Sequence, residues 1–211
     1  MIECGSNIFK IEPSKITPSK YISFITLRKT GNLLFPCLAS SSTFESSWQE
    51  IKDLGGISKQ LLGDMHFATK HNDRLFSEFG APTFCSVLEE PDVHRKVENV
   101  EAFPFERHEI APGVIAIPTP GHRPGAVSYL VDVGDSNVLF AGDSIWHDEE
   151  RWMALSNEKN RSVMKNTLAS LRDERFTSIF VNSSVKNPVY SIEFQDNPAK
   201  NEFLDGLAEA L

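Results

Sequence analysis

The fold is decided by residues 119–144, which read TPGHRPGAVSYLVDVGDSNVLFAGDS. The Pro and Gly residues that follow the strand-like run VIAIP predict a turn, which places His122 at the end of a strand. The apolar run NVLF predicts a second buried strand that ends close to Asp143. An imidazole and a carboxylate at two strand ends are suitable ligands for Zn²⁺ or Fe²⁺. The segment therefore predicts a site at the open end of a sheet.

A second group of polar residues lies upstream, after the apolar pair at residues 61–62. Residues two apart in an extended chain point to the same side, so Asp64 and His66 are expected to face one ion together. His71 follows five residues after His66, near the start of a predicted helix, and is a further candidate ligand.

The rest of the chain predicts interleaved strands and helices. The run YISFITLRKTGNLLFP, residues 21–36, alternates around a Thr-Gly-Asn turn, which predicts a hairpin. One helix is predicted to end at Gly80, and another is predicted to bury Val163. The predicted strands are 59–62, 83–88, 106–118, 126–133, 137–141 and 178–181, and the predicted helices include 72–80, 161–172 and 201–211. This order indicates an α/β protein with two mixed sheets covered by helices.

Length, charge and cysteine usage narrow the class of protein. The 211 residues, 40% of them hydrophobic, suit one domain spanning residues 1–211. A formal net charge of −8 repels phosphate backbones, which argues against nucleic acid as a partner. The first residues hold no long apolar run, so we expect no secretion signal and no membrane span. Three widely spaced cysteines predict reduced thiols and a cytoplasmic location.

These motifs together resemble those of the metallo-beta-lactamase superfamily, along nearly the whole chain. The family's Thr-Pro-Gly-His-x-x-Gly-Ser motif is similar to TPGHRPGAVS, and its Leu-Phe-x-Gly-Asp-Thr motif is similar to LFAGDS. Its His-x-His-x-Asp-His motif, with the helix after it, aligns with LLGDMHFATKHNDRLFSEFGAPTF. The resemblance implies an αββα four-layer sandwich with a metal site at one edge of the sheets. It also implies a hydrolase of beta-lactams, thioesters, lactones or phosphoesters, although some relatives are oxidoreductases.

The first motif departs from the family pattern at three of its four ligand positions. Asp64 stands in place of the first His, and His66 is retained. Ala68 stands in place of the Asp, and Thr69 in place of the third His. The residues that would hold a second metal are therefore absent from this motif.

A late His of the family is also missing. Its place aligns with Ser183 or Ser184, and no His follows His147 in this chain. The resemblance therefore implies at most one bound ion, either Zn or Fe. His71 stays a candidate because some family branches place a His five residues further along. The expected metal ligands are Asp64, His66, His122 and Asp143, with His71 as the additional candidate.

Two functions of different class remain open. One is a mononuclear metal-dependent hydrolase of a small ester, thioester or lactone, in which Asp143 and Asp64 are the catalytic residues. The other is a catalytically inactive protein with a binding or regulatory role, or one assembled as a homodimer. Its site residues would only hydrogen-bond to one another. A third, weaker interpretation is a redox role with iron.

Residues 144–160 contain Trp146, His147 and Trp152 and admit two interpretations. The segment forms either a lid over the site or a surface segment that packs its aromatic side chains on the core. His147 in particular is a candidate for lining the pocket, because it follows Asp143 closely.

Overall fold

The first half of the chain builds a seven-stranded mixed sheet. The computed structural model of the protein describes residues 1–11, 19–37, 41–148, 150–185 and 189–211. The predicted hairpin is confirmed, because Phe24 pairs with Phe35 across two antiparallel strands. The later strands of this sheet run parallel to one another. In sheet order the strands are β1 (Ile2–Gly5), β2 (Ile8–Ile11), β4 (Ser23–Thr26), β5 (Leu33–Phe35), β6 (Lys59–Leu61), β7 (Thr83–Ser86) and β8 (Val100–Phe103).

The second half of the chain builds a six-stranded mixed sheet. Three consecutive strands of this sheet form an antiparallel meander, namely β10 (Val114–Pro118), β11 (Val127–Asp132) and β12 (Asn137–Phe140). Strand β15 (Ser178–Phe180) then adds in parallel to β12. In sheet order the strands are β17 (Ser191–Glu193), β15 (Ser178–Phe180), β12 (Asn137–Phe140), β11 (Val127–Asp132), β10 (Val114–Pro118) and β9 (His108–Ala111).

A third sheet of four short strands joins distant parts of the chain, and the sequence did not predict it. Its strands in order are β14 (Arg151–Ala154), β13 (Ile145–Asp148), β16 (Ser183–Val185) and β3 (Ser19–Tyr21). Tyr21 pairs with Ser183, so the end of β3 lies beside the residue that the sequence aligned with the family's late His.

The described residues contain five α-helices and two short 3₁₀ turns. The helices are α1 (Ser41–Asp53), α2 (His71–Phe79), α3 (Glu90–Val93), α4 (Arg161–Leu171) and α5 (Asn197–Glu209), and the turns are Met65–Phe67 and Glu158–Asn160. Among these helices, none combines the length and the apolar character needed to cross a bilayer.

Three clusters of buried apolar side chains fill the spaces between the layers of the fold. The two large sheets face each other across a core that includes Phe24, Phe35 and Phe140. Ile51 of α1 packs in the cluster on the outer face of the first sheet. Leu168 of α4 packs in the cluster on the outer face of the second sheet. The layer order is helix, sheet, sheet, helix, which confirms the predicted αββα sandwich.

The buried face of α4 differs from the predicted one. Met164 and Leu168 are 0% and 1% exposed, and Leu171 is equally buried, whereas Val163 is 38% exposed. The buried residues follow the i, i+4, i+7 spacing of one helical stripe, and Val163 lies outside that stripe. The prediction that Val163 points inward is therefore wrong.

Helix α5 begins four residues before the predicted start at residue 201. The Asp196 side chain accepts a hydrogen bond from the backbone N–H of Ala199, which caps the helix. Pro198 in the first turn suits a helix start, because its fixed φ is helical and its missing N–H is not needed there.

Gly80 and Gly206 form a matched pair for testing the helix assignments. Gly80 ends α2 with φ of 69°, and no atom lies within 4 Å of the place a Cβ would take. Gly80→Ala is expected to destabilise the protein by about 1–2 kcal/mol, because alanine disfavours a left-handed backbone. Gly206 lies inside α5 with equally open surroundings. Gly206→Ala is expected to stabilise by about 0.5–1 kcal/mol. Urea unfolding measures both changes, and effects of the same sign would contradict the assignments.

Candidate metal centre

Asp64 and His66 lie in the turn that follows strand β6. The Asp64 carboxylate caps the 3₁₀ turn by accepting a 2.7 Å hydrogen bond from the backbone N–H of His66. Short carboxylate side chains suit this position because they satisfy a backbone donor at the start of a helical turn. Asp64 is 1% exposed, whereas the His66 side chain is 47% exposed. The cap therefore holds a buried carboxylate directly beneath a partly open imidazole.

His122 and Asp143 follow two strands of the second sheet, as the sequence predicted. His122 lies in the turn between β10 and β11, which closes when the backbone N–H of Thr119 donates to the carbonyl of Ala126 at 2.8 Å. Asp143 lies three residues after the end of β12, and the Ser183 hydroxyl donates a 2.8 Å hydrogen bond to its Oδ1. Ser183 thus holds one oxygen of Asp143 and leaves the other unengaged by it.

The ends of the two large sheets meet at this site. The backbone N–H of Val127 donates to the Gly63 carbonyl at 2.8 Å, and the buried Tyr129 hydroxyl donates to the Leu62 carbonyl at 2.7 Å. A Cβ added to Gly63 would lie 3.2 Å from the Cα of Gly142. The turn that carries Asp64 and the turn that carries Asp143 therefore touch backbone to backbone.

Four predicted ligands converge at this meeting point. One ligand atom from each of Asp64, His66, His122 and Asp143 lies within 4.8 Å of the other three. The His122 Nε2 to His66 Nδ1 distance is 3.1 Å, and His66 Nδ1 lies 3.2 Å from Asp64 Oδ1. His122 Nε2 lies 3.7 Å from Asp64 Oδ2. Ligands of a tetrahedral Zn²⁺ lie about 3.4 Å apart, since each is about 2.0–2.2 Å from the ion. The donor set and its spacing fit one such ion.

One buried oxygen at the centre of this group has no hydrogen-bond donor. Asp64 Oδ2 is shielded from solvent and has no hydrogen-bond partner among the described residues. Leaving a buried acceptor unsatisfied costs about 1–3 kcal/mol, and more for a charged group. A cation bound between Asp64 and His122 would supply the missing partner. This oxygen therefore supports the fit of a metal ion.

Burial and neighbouring charges shift the pKa values of three of the four groups. The hydrogen bond that the His66 imidazole donates to the Asp64 carboxylate raises the pKa of His66. Burial lowers the pKa of His122, because it disfavours the charged imidazolium. Burial, together with the Asp64 charge, raises the pKa of Asp143 to about 6. His122 is therefore neutral near pH 7, with a ring nitrogen free to bind a cation.

A cavity of about 380 Å³ opens over the site. Its volume lies in the range of about 300–1,000 Å³ that small-molecule pockets occupy. The described residues that line it are Tyr21, Cys37, His66, Phe67, Thr69, His122 and Asp143. The sequence did not single out Tyr21 or Cys37 for this site. Tyr21 reaches the cavity through the pairing of β3 with the distant strand β16, and Cys37 lies two residues after the end of β5. A local sequence pattern carries no signal for either placement.

The other two predicted histidines lie outside the group of four. His71 begins α2, where its backbone N–H bonds to the Thr69 hydroxyl at 3.2 Å, and its role as a ligand stays a prediction. His147 lies in β13, is 6% exposed and packs edge-on against Trp152. It is not among the residues that line the cavity.

Strands β13 (Ile145–Asp148) and β14 (Arg151–Ala154) of the segment 144–160 pair antiparallel, with Trp146 opposite Met153. Trp152 packs against Phe203 of α5, with ring centroids 5.8 Å apart. This part of the segment therefore packs an aromatic side chain on the core, as one of the two interpretations expected.

Comparison with known proteins gives a match in structure but not in sequence. No family model matches the sequence, and no curated protein matches it. A metallo-beta-lactamase from Hirschia baltica has a TM-score of 0.71 at 15% identity, over 99% of this chain and 95% of that one. A motif mutant of a metallo-beta-lactamase from Cronobacter sakazakii has a TM-score of 0.64 at 17% identity, over 97% and 92%.

A third similar structure is a metallo-beta-lactamase family protein from Thermus thermophilus, with a TM-score of 0.65 at 16% identity. The match covers 97% of this chain and 79% of that one. At sequence identities this low, the matches show that the architecture is shared, and they do not show that the activity is shared. The layers, the strand order and these matches agree: the chain has the metallo-beta-lactamase fold.

Proposed function

We propose that the protein is a metal-dependent hydrolase that holds a single Zn or Fe ion and acts on a small ester, thioester or lactone. The proposed ligands are Asp64, His66, His122 and Asp143. The observation that carries the proposal is their convergence within 4.8 Å, around a buried carboxylate oxygen that has no hydrogen-bond donor among the residues described. Two carboxylates and two imidazoles match the ligand preferences of Zn²⁺ and Fe²⁺.

When bound, such an ion supplies Lewis acidity, which lowers the pKa of water to about 7 and polarises a carbonyl oxygen. Asp143 is proposed to orient the attacking water and, where it does not itself ligate, to take up its proton. In the metal-free protein burial raises the pKa of Asp143 to about 6, so its carboxylate is mostly ionised at pH 7 and can accept a hydrogen bond from water. The Ser183 hydroxyl fixes one of its oxygens, which orients the other. Asp64 is proposed to act mainly as a ligand.

The cavity supports a small substrate with an apolar part. Phe67 and the ring of Tyr21 line it beside the polar group. Filling of the pocket by Phe67 or Trp146 would have favoured an inactive protein. Phe67 is 3% exposed and lines the cavity without filling it, and Trp146 is not among the described lining residues.

Metal titration tests the proposal directly. The metal-free protein, titrated with Zn²⁺ and, without oxygen, with Fe²⁺, is expected to bind one ion per chain. A free ion concentration 100 times the Kd should stabilise the fold by about 2.7 kcal/mol. Equilibrium dialysis with elemental analysis gives the stoichiometry, and urea unfolding gives the stabilisation.

Activity is measured on the same samples with generic esters, thioesters and lactones. Turnover by the loaded protein that is absent from the metal-free protein is the expected result. Two tightly held ions per chain would overturn the single-ion proposal. A protein that binds no ion would overturn the metal-dependent proposal as a whole.

The alternative is an inactive protein with a binding or regulatory role, and one observation favours it. His66 and His122 lie 3.1 Å apart at hydrogen-bond distance, and Asp143 is bonded to Ser183. These side chains thus satisfy one another in part without an ion. An unchanged stability on addition of Zn²⁺ and Fe²⁺, with no turnover, would establish this alternative.

We further propose that residues 1–211 form one domain, supported by the core shared between the two large sheets. The cytoplasmic location, the homodimer and the absence of nucleic-acid partners remain proposals from the sequence. Size-exclusion chromatography with light scattering tests the homodimer.

A further inference from the structure

Glu89 is a buried carboxylate that lies between the two turns of the site. It directly precedes α3 and is 1% exposed. Its sequence neighbours, Leu88 and Glu90, are a half-exposed apolar residue and a solvent-accessible acid, so no local pattern distinguishes it. A carboxylate is rarely buried unless its oxygens are paired, so its partners indicate what it holds in place.

The two oxygens of Glu89 accept hydrogen bonds from two separate turns. Oε2 accepts the backbone N–H of Met65 at 3.0 Å. Oε1 accepts the backbone N–H of Gly125 at 3.1 Å. The Arg123 Nε also donates to Oε2, at 3.4 Å. One side chain therefore bridges the turn after β6 and the turn between β10 and β11.

These contacts are adjacent to the proposed ligands on both sides. Met65 is the residue between Asp64 and His66, and Arg123 is the residue after His122. The spacing of the two imidazoles depends on how these two turns are held relative to each other. Because Glu89 binds both turns, its position affects the spacing of His66 and His122.

Two further contacts support this bridge. Arg123 Nη2 donates to the Asp92 carboxylate at 2.7 Å, which aligns the guanidinium between two acids. The buried Ser86 hydroxyl donates to the Gly125 carbonyl at 2.6 Å, on the same turn as the bonded N–H. Since both Glu89 oxygens face N–H donors, an amide in this place would turn its own NH₂ group toward one of them.

We propose that Glu89 is a positioning residue that sets the separation of His66 and His122 by tying together the turns that carry them. Any effect of Glu89 on catalysis depends on the proposed function of the metal site. The effect of Glu89 on the positions of the two imidazoles is expected in the metal-free protein as well. Glu89 is neither one of the four proposed ligands nor one of the described residues that line the cavity, and it contacts the backbone of both turns.

The test compares Glu89→Gln with Glu90→Gln, which makes the same change of charge at the next residue. Glu90 is partly exposed, and its side chain forms a 3.7 Å ion pair with His94. Glu89→Gln is expected to weaken Zn²⁺ and Co²⁺ binding by about tenfold or more, the size that partners outside the ligand set contribute. The visible spectrum of bound Co²⁺ should also change, because its ligand geometry changes. Glu90→Gln should match the parent in both measurements.

Histidine NMR of the metal-free proteins separates positioning from metal binding. The imidazole signals of His66 and His122, assigned with His66→Gln and His122→Gln, should shift in Glu89→Gln and not in Glu90→Gln. If the parent binds no metal, the hydrolase proposal fails while this comparison still tests Glu89. Signals and metal affinity equal to those of Glu90→Gln would overturn the inference. So would a loss of thermal stability in Glu89→Gln with unchanged imidazole signals and unchanged metal affinity.

Discussion

His122→Ala is expected to weaken Zn²⁺ binding by more than about 100-fold and to remove any hydrolytic activity that the parent protein has. Residues outside the ligand set of a metal already contribute about 10–100-fold to affinity, and a ligand contributes more. The loss has a specific cause in this fold. His122 Nε2 lies within 3.7 Å of both His66 Nδ1 and Asp64 Oδ2, so its removal leaves the donor set open on the side of the second sheet.

His94→Ala is the matched control for this variant. His94 follows α3, and its side chain is 45% exposed. Its removal should leave metal affinity and turnover unchanged. Isothermal titration with Zn²⁺ and steady-state kinetics measure the two quantities. Turnover that survives in His122→Ala at the parent rate would place the chemistry elsewhere in the molecule.

Phe140→Ala is expected to destabilise the protein by about 3–5 kcal/mol, the usual cost of truncating a buried aromatic residue. Phe140 is 1% exposed and lies between the two large sheets. Its ring stacks on Phe35 with centroids 3.8 Å apart, and Phe24 and Phe180 pack around it at 5.7 and 5.4 Å. The substitution would leave a cavity surrounded by rigid rings that cannot close over it.

Val163→Ala controls for the loss of apolar volume on the surface. Because Val163 is 38% exposed, this change is expected to alter stability by no more than about 0.5 kcal/mol. Urea unfolding followed by circular dichroism measures both variants. Similar losses for Phe140→Ala and Val163→Ala would contradict the assignment of the core to the space between the sheets.

The parts of the fold that the sequence predicted are those with a local cause. Gly80 ends α2 because a left-handed residue is needed at that position. The hairpin of β4 and β5 follows from alternation around a turn. His122 and Asp143 were placed at strand ends because turn residues interrupt apolar runs there, and both lie where those signals predicted.

The parts that the sequence did not predict depend on contacts between distant segments. In α4 the sequence predicted that Val163 is buried, whereas its neighbour Met164 is the buried residue. Both residues are apolar, so only the packing of the helix decides which of them is buried. The third sheet pairs β13 with β16 and β16 with β3, and short strands far apart in sequence carry no mark of their pairing. For the same reason no local pattern indicates a role for Glu89, whose partners lie on two separate turns.

The side chains of Gly63 and Gly142 can neither bind an ion nor transfer a proton. In a screen of random substitutions, however, changes at these two glycines are expected to impair the site as changes at the proposed ligands do. A Cβ at Gly63 would lie 3.2 Å from both the Cα of Gly142 and the ring of Phe67, so a side chain there requires its neighbours to shift. The two large sheets meet at this contact, and the absence of side chains at Gly63 and Gly142 allows their turns to approach closely. Substitution of Gly63 is therefore expected to alter the spacing of Asp64 and Asp143, although neither of these residues is itself replaced.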